Sequence, residues 1–497
     1  MEHNPARFFR ILILITCISL QFTCSNTGEA TSTPSADSTV VVNARIVLEE
    51  VSDVQISSGL YGYNTANLFT HLDIENDDWK ELGDGLPAVL RFPGGTLANF
   101  YHFDSPGYGY RAEDKQAVGG KAIENFERSL SMDRSLIQRK GLSENHAHQM
   151  AELANRTGSS VLLVANLLTS SDDEIMRMVE FFKSESVRIS GMELGNEYYW
   201  SGAYSSTFPD GESYVSRMEG LVQRMRLEHP EIPLGVVIAP LSSMKKLNTK
   251  KEAFNASWNQ AIIEFSDFDA IIAHLYSKNN ACDGLSVQEE KCRCYADYSA
   301  QYNGHQMELA MLDLESRFPS KEIWITEWNI KGVFKGLGNT MAQAIHYADF
   351  SLMTHRHHAV TISTYHNLLA KGNGFNAFGS KSDGSVTKQA TALIAELFKS
   401  FDDSTMLMES SITDGGDGIR AQAYQGDGIH LIVVNSRAEA VMMNIEGREW
   451  NNAEVNSRVA PTYASGPGQI LSKYSQHEHG PLVLDGVGVH HIKLTAE

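Results

Sequence analysis

The chain has 497 residues, 42% of them hydrophobic, and a formal net charge of −20. The hydrophobic share suffices for a sizeable core and excludes a chain that is disordered throughout. The acidic balance argues against a nucleic-acid-binding protein and against a peripheral binder of anionic lipid, because both present basic surfaces. The length is typical of one large barrel plus a smaller module.

The first 23 residues are typical of an export signal. Two arginines precede an apolar run over residues 11–20, which is too short to span a bilayer. Cys24 follows, and residues 24–39 are rich in Ser and Thr, which predicts a flexible tether. The segment resembles a bacterial lipoprotein signal with Cys24 as the lipidated residue, and an ordinary cleaved signal peptide is the alternative. We expect an outer-membrane or cell-surface lipoprotein, or a periplasmic or secreted protein, with a lipid anchor as its one membrane contact.

The three cysteines beyond the signal are Cys282, Cys292 and Cys294. In an oxidising compartment a local disulfide is expected, so Cys282 pairs with Cys292 or with Cys294 and one thiol is left over. A zinc site would require a fourth ligand and a different spacing. The sequence therefore predicts a stapled surface loop and no metal.

Residues 40–58 contain two strand-like pieces, and residues 59–400 follow a repeating pattern of short apolar runs and amphipathic segments. The apolar runs cover residues 60–64, 88–92, 161–166, 189–194, 234–239, 270–275, 323–327 and 360–364. The helix-like segments cover residues 144–157, 173–185, 213–228, 258–265, 306–318 and 339–357. Strands that alternate with helices indicate parallel βα units, and eight such units predict an α/β protein built on a (β/α)8 TIM barrel.

The pattern changes over residues 401–497, where β-rich runs are punctuated by Gly, Asp and Asn. This predicts a C-terminal β-sandwich, which residues 40–58 can complete. Three connections of the barrel, over residues 99–142, 277–302 and 367–387, are predicted to be long loops that build the walls of a cleft.

Catalytic residues of a TIM barrel lie at the carboxyl ends of its strands, and two predicted strands end in glutamate. Glu197 follows the fourth strand and Glu327 ends the seventh. A single glutamate there can be a solvated rim residue, but two at matching positions favour catalysis. Retaining glycoside hydrolysis requires two carboxyl groups about 5–5.5 Å apart, one to protonate the leaving oxygen and one to attack the anomeric carbon.

Three motifs carry a resemblance to a known family. Residues 193–197 (ELGNE) resemble the acid/base motif of glycoside hydrolase clan A, and residues 325–329 (ITEWN) resemble its nucleophile strand. Residues 91–95 (RFPGG) resemble strand two of the α-L-arabinofuranosidase branch, and the heparanase-like β-glucuronidase and β-xylosidase branches are similar. The resemblance implies a retaining glycosidase that uses no cofactor.

The resemblance also implies roles for individual residues. Glu197 would be the acid/base, Glu327 the nucleophile, and Asn196 would bind the sugar 2-hydroxyl group. The remaining implied contacts are Arg91 beneath Glu327, Tyr276 as a donor to Glu327, and His274 near the acid/base. Two alternatives stay open: Arg91 can instead be a structural partner of Glu193, and His274 can be a core histidine.

Other strand-end residues are weaker candidates for substrate binding. Asn64 ends the first strand and Asn166 the third, and each can bind a hydroxyl group or cap a turn. Trp328 is expected to stack on a sugar ring, whereas Trp200 can be a core residue.

The sequence thus predicts an exported retaining hydrolase of plant or algal type polysaccharides, similar to α-L-arabinofuranosidases, with a carbohydrate as its partner. Two alternatives are a β-glucuronidase-like or heparanase-like hydrolase of uronic-acid glycans and a non-catalytic glycan-binding lipoprotein.

Overall fold

The computed structural model describes residues 41–120, 122–331, 336–372, 374–381, 385–414 and 418–496. The predicted signal peptide, the tether and Cys24 therefore lie outside the described residues. Within these ranges, every helix is too short or too polar to span a bilayer.

The predicted barrel is confirmed. After an N-terminal strand, β1 (Val41–Gln55), eight parallel strands of the described chain close on themselves. They are β2 (Gly62–Asn64), β3 (Val89–Phe92), β4 (Ser160–Val164), β5 (Ile189–Glu193), β6 (Leu234–Val237), β7 (Ala270–Ser277), β8 (Glu322–Ile330) and β9 (Val360–His366). The last three extend beyond their predicted carboxyl ends, so more side chains reach the mouth of the barrel than the sequence indicated.

Helices connect the strands. They are α1 (Ala122–Lys140), α2 (His146–Thr157), α3 (Asp172–Ser184), α4 (Ser201–Tyr204), α5 (Gly211–Glu228), α6 (Thr249–Phe265), α7 (Asn280–Asp283), α8 (Gln288–Gln301), α9 (Met307–Arg317), α10 (Met341–Thr354) and α11 (Ala390–Ala395). Each of the six predicted helical segments corresponds to one of them.

The three predicted long loops contain regular structure, so that prediction is wrong. Residues 99–142 include α1, residues 277–302 include α7 and α8, and residues 367–387 include a small sheet of β10 (Leu369–Lys371), β11 (Phe378–Ser380) and β12 (Val386–Lys388). The buried face of α1 combines the polar Ser129 and Asp133 with the apolar Phe126 and Leu136.

The disulfide joins Cys282 in α7 to Cys294 in α8, so it staples two helices and not a loop. Cys292 is the thiol left over. It is buried in α8, and burial raises its pKa to about 11, which keeps it protonated near neutral pH.

A second sheet comprises β1 and the strands of the C-terminal region. These are β13 (Met406–Asp414), β14 (Ile419–Gln425), β15 (Ile429–Asn435), β16 (Ala440–Glu446), β17 (Asn452–Val459), β18 (Leu471–Glu478), β19 (Leu482–Leu484) and β20 (Gly488–Thr495). The order is β18-β17-β20-β15-β14-β13-β1-β16-β19, and β1 pairs antiparallel with β13 and parallel with β16. The side chain of Asn435 in β15 donates to the carbonyl of Leu484 in β19 at 3.4 Å. These two strands are far apart in the strand order, so the sheet is strongly curled.

This sheet packs against α10 of the barrel. Arg420 in β14 makes two hydrogen bonds to Asp349 in α10, at 2.7 and 3.0 Å, and His355 just after α10 contacts the Tyr424 hydroxyl at 2.7 Å. All fourteen residues of α10 are buried. The helix is apolar on most sides because barrel and sheet cover it from both directions.

Candidate active site

Glu327 lies near the carboxyl end of β8, with its side chain 8% exposed. Arg91 Nη1 donates to Oε1 at 2.8 Å, and the Tyr276 hydroxyl donates to Oε2 at 2.7 Å. His366 Nδ1 lies 3.3 Å from Oε2. Burial alone would raise the pKa of Glu327, but the charges of His274, His366 and Arg91 hold that pKa well below its usual range. Glu327 is therefore a buried carboxylate that stays ionised.

Arg91 holds a second buried carboxylate at the same time. Its Nε and Nη2 donate to the two oxygens of Glu193 at 2.6 and 2.7 Å, and Nη2 also donates to Asn196 Oδ1 at 2.9 Å. Neither Arg91 nor Glu193 is exposed. Both roles considered for Arg91, partner of Glu193 and support of Glu327, thus occur in one guanidinium, whose planar fork can serve several acceptors.

Glu197 occupies a tight turn after β5. Gly195 has a φ of 103°, and a Cβ atom there would lie 1.9 Å from the ring of Tyr198, so the turn requires glycine. Glu197 itself has a φ of 48°. Its side chain is 25% exposed and accepts a hydrogen bond from the Tyr199 hydroxyl at 3.0 Å. The turn thus places a partly accessible carboxylate beside the buried Glu327.

His274 joins the two carboxylates. Its Nδ1 lies 3.1 Å from Glu197 Oε1 and 3.8 Å from Glu327 Oε2, so these two oxygens are at most about 7 Å apart. Burial opposes protonation of His274, but Glu327 and Glu197 raise its pKa. Burial and Glu327 also raise the pKa of Glu197, but the hydrogen bond and charge of His274 outweigh them and lower it. Of these two groups the imidazole therefore holds a proton more tightly than Glu197, whereas a general acid requires the proton on the carboxyl group.

The backbone of Asn196 is fixed, and its side-chain amide nitrogen is available to a ligand. Asn99 Nδ2 donates to the Asn196 carbonyl at 2.8 Å, and Asn99 Oδ1 accepts from the Asn196 backbone N–H at 3.1 Å. Because Arg91 occupies Oδ1, the side chain can turn only Nδ2 to a ligand, and in the described part of the chain this nitrogen has no hydrogen-bond partner.

Asn64 serves both the turn and the site. Its Oδ1 accepts from the Ala66 backbone at 3.0 Å, and its Nδ2 donates to Glu327 at 3.4 Å. Gly94, with a φ of 76°, is required beside it, because a Cβ atom there would lie 2.4 Å from Asn64 Oδ1.

Two of the predicted substrate contacts are wrong. Trp328 is 2% exposed and stacks on Phe350 of α10 at a centroid distance of 4.0 Å, because adjacent strand residues face opposite sides and Glu327 takes the inner one. Asn166 uses its amide in a turn, donating to the Tyr101 carbonyl and accepting from two backbone N–H groups. Trp200, interpreted as a core candidate, is 44% exposed at the start of α4.

Three site residues were not predicted. His366 lies beyond the predicted end of the last barrel strand. Its position two residues after Thr364 is the signal that the two side chains share one face of β9. Tyr199 lies in a turn and Asn99 in a short 3-10 helix (Thr96–Phe100), where no periodicity marks them. Within the described ranges, no group of three or more His, Cys, Asp or Glu side chains is arranged to hold a metal ion.

No protein-family model matches the sequence, and no curated protein sequence matches it. Solved structures do match the fold. A GH51 arabinofuranosidase from Xanthomonas axonopodis pv. citri has a TM-score of 0.65 at 12% identity, over 91% of this chain and 100% of that one. A GH51 α-L-arabinofuranosidase from Thermotoga petrophila has a TM-score of 0.65 at 14% identity, over 90% and 99%. A GH44 xyloglucanase from Paenibacillus polymyxa has a TM-score of 0.60 at 13% identity, over 92% and 100%.

At these identities the likeness is one of fold. It extends over nearly the whole chain of both kinds of enzyme. The resemblance to clan A that the motifs carry is therefore confirmed in the architecture of the chain.

Proposed function

We propose that this protein is a retaining glycoside hydrolase in which Glu327 is the nucleophile and Glu197 the acid/base. The observation that carries the proposal is the pair of carboxylates at the mouth of the barrel, both within 4 Å of one imidazole nitrogen of His274. The upper bound of about 7 Å between their oxygens accommodates the ~5–5.5 Å separation of retaining enzymes.

The environment of Glu327 suits a nucleophile. Attack on an anomeric carbon requires an ionised carboxylate, and Arg91 and Tyr276 each donate a hydrogen bond that favours this form. Both donors also fix the direction of the carboxylate, which reduces the entropy lost on reaching the transition state.

The environment of Glu197 suits an acid/base, with His274 as the source of its proton. The proton on His274 Nδ1 is 3.1 Å, heavy atom to heavy atom, from Glu197 Oε1. Transfer along this hydrogen bond yields a neutral imidazole and a protonated Glu197, which then gives the proton to the leaving oxygen. Glu327 loses its charge in the covalent intermediate, and Glu197 then accepts a proton from the attacking water.

Asn196 suits recognition of a sugar hydroxyl next to the anomeric carbon. Its unoccupied Nδ2 can donate a hydrogen bond, and its backbone is held on both sides by Asn99. Such a contact strengthens as positive charge develops on the sugar ring.

Neighbours in fold support a plant polysaccharide as substrate, since they are described as arabinofuranosidases, a xyloglucanase and endoglucanases. The alternative of a non-catalytic glycan-binding protein is disfavoured because both carboxylates and their supporting donors are present. Release of reducing sugar from a polysaccharide panel tests the proposal, with Glu327→Gln as the control. Turnover by wild type and none by the variant is the expected result. Equal turnover by the two, or none by either, would contradict it.

We further propose export, with Cys24 as a lipid anchor, on the strength of the amino-terminal sequence alone. Membrane association that is lost in Cys24→Ala would support the anchor, and a soluble, processed wild-type protein would point to an ordinary signal peptide.

A further inference from the structure

Four segments that follow the carboxyl ends of β6, β7, β8 and β9 are rich in lysine. Their lysines are Lys245, Lys246, Lys278, Lys331, Lys371, Lys381 and Lys388, of which Lys388 is paired with Glu396 at 2.7 Å. Among the described residues of these segments, Asp283 is the one carboxylate, and it accepts a hydrogen bond from Tyr295. In a chain with a net charge of −20, this side of the barrel mouth is distinctly basic.

Two of these lysines lie next to the catalytic groups. Lys331 directly follows β8, and its Nζ lies 5.5 Å from the ring centroid of Tyr276, whose hydroxyl donates to Glu327. Lys245 is close enough to Glu197 and to Lys331 for each to act on it electrostatically. Both lysines are exposed, so both ammonium groups can contact a ligand in the cleft.

These cations are also unpaired. Several exposed lysines elsewhere have a carboxylate partner, such as Asp485 for Lys473 at 2.6 Å and Glu231 for Lys183 at 2.8 Å. In the parts of the chain that the structure describes, Lys245 and Lys331 have no carboxylate within 4 Å. Two like charges close to one another raise the free energy of the unbound protein, and an anion placed between them lowers it.

We propose that the cleft binds an anionic glycan, with Lys245 and Lys331 contacting carboxylate or sulfate groups of the chain near the cleaved bond. This rests on the proposed function and specifies its substrate class. A uronic acid and a sulfate ester offer the same chemistry to an ammonium group, since each presents negative oxygens to a point charge.

Binding to matched pairs of polymers tests the proposal. The probes are glucuronoxylan and polygalacturonate with their carboxyl-reduced forms, and carrageenan with its desulfated form. Affinity electrophoresis with Glu327→Gln measures binding without turnover, and wild type is assayed for reducing-sugar release on the same samples. The variants are Lys245→Ala and Lys331→Ala, each with a Lys→Arg version that keeps the charge. Lys473→Ala, in the exposed β18, controls for net charge.

We expect at least one acidic polymer to bind about tenfold more tightly than its neutral form. Each Lys→Ala change should weaken that binding about fivefold, the upper end for an exposed ion pair. Lys→Arg should restore it, Lys473→Ala should leave it unchanged, and 0.5 M salt should abolish the preference. A preference for the acidic polymer over its carboxyl-reduced form indicates a carboxylate ligand, and a preference for carrageenan over its desulfated form indicates a sulfate ligand.

Equal binding of acidic and neutral forms, indifference to both lysines, or no binding to any polymer would overturn the proposal. If wild type cleaves a neutral polymer with no effect of the lysines, the glycosidase function stands and the anionic substrate fails. If acidic polymers bind through the lysines but are not cleaved, the anionic ligand stands and the glycosidase function fails.

Discussion

Arg91 donates through two nitrogens to Glu193, at 2.6 and 2.7 Å, in a part of the barrel from which solvent is excluded. The same guanidinium donates to Glu327 at 2.8 Å, so one side chain contacts both a structural carboxylate and the proposed nucleophile. Arg91→Met should cost about 3–5 kcal/mol of stability, because Glu193 would remain buried without a partner. It should also raise the pKa of Glu327 and move the acidic limb of the rate profile upward. Thermal melts and pH–rate profiles check the two effects on one variant.

Arg91→Lys and Glu193→Gln separate the two roles. Lys keeps the charge but lacks the fork, so we expect kcat/KM to fall at least about tenfold. Glu193→Gln leaves the contact between Arg91 and Glu327 in place. The stability of the protein should therefore fall, while the acidic limb of the pH–rate profile should not move. An acidic limb that is unmoved in Arg91→Met would show that Arg91 does not tune Glu327.

Glu197→Ala and Glu327→Ala should differ in their dependence on the leaving group. Without its acid, the enzyme should lose about 10²–10⁴-fold in rate on glycosides with poor leaving groups and much less on activated aryl glycosides. Glu327→Ala should abolish turnover on both. Steady-state kinetics on a series of aryl glycosides checks this, and parallel losses in the two variants would contradict the assignment.

His274→Asn should move the alkaline limb of kcat/KM to lower pH. In wild type the imidazole is the more basic of the two groups, and its raised pKa extends its protonation to higher pH than for an ordinary histidine, whose pKa is ~6.5. Without it, Glu197 must hold the proton itself, and a carboxyl group loses a proton at lower pH than an imidazole. A pH–rate profile of the variant measures the limb, and an unmoved one would exclude His274 as the proton source.

His102 ties the segment that contains α1 to the barrel, and its ion pairs make stability depend on pH. It contacts Asp114 at 2.9 Å and Glu174 at 3.0 Å, and all three are buried. Despite burial, these carboxylates raise the pKa of His102, whereas His102 lowers the pKa of Glu174 against the effect of burial. The stabilisation from His102 is complete below its unfolded pKa of ~6.5 and is lost as the pH rises through its folded pKa. The stabilisation from Glu174 is complete above ~4.3 and is lost as the pH falls through its folded pKa.

Melting temperatures at pH 5.5 and pH 8 check this dependence. We expect His102→Gln to lower the melting temperature more at pH 5.5 than at pH 8, whereas the exposed His305→Gln should lower it at neither. A loss that is equal at the two pH values would show that the charge of His102 does not contribute.

Trp328→Ala should destabilise the protein by about 3–5 kcal/mol, because the indole stacks on Phe350 between β8 and α10. Trp328→Phe should recover part of this loss. Denaturant unfolding measures both. A Trp328→Ala variant that is as stable as wild type but binds glycans weakly would indicate that Trp328 contacts substrate in the cleft.

Sequence reasoning reached the barrel and the residues at its strand ends, because buried parallel strands are short apolar runs and their carboxyl ends share one rim. Arg91, His274, Tyr276 and Glu327 all come from strands, and the structure brings them together. The prediction that Trp328 contacts substrate was wrong because adjacent residues of a strand face opposite sides. Trp328 therefore cannot share a face of β8 with Glu327.

Residues outside the strands were harder to place. Asn99 lies in a short 3-10 helix and Tyr199 in a turn, and the positions of such segments are decided by tertiary contacts, not by local pattern. The helix α1 is a different case, because Ala122, Phe126 and Leu136 lie on one buried face at helical spacing, with Ser129 and Asp133 between them. The pattern was present in the sequence, although the segment was predicted to be a loop. Asp133 is buried through a hydrogen bond that it accepts from the Tyr108 backbone.

The covalent intermediate tests the central claim most directly. With an activated aryl glycoside that wild type hydrolyses, Glu197→Ala should form the glycosyl-enzyme quickly and break it down slowly, since no base activates the water. Peptide mass spectrometry after rapid quenching should then find one added sugar on Glu327. The absence of any adduct, together with an inverted anomer as the first product seen by NMR, would contradict the two-glutamate retaining mechanism.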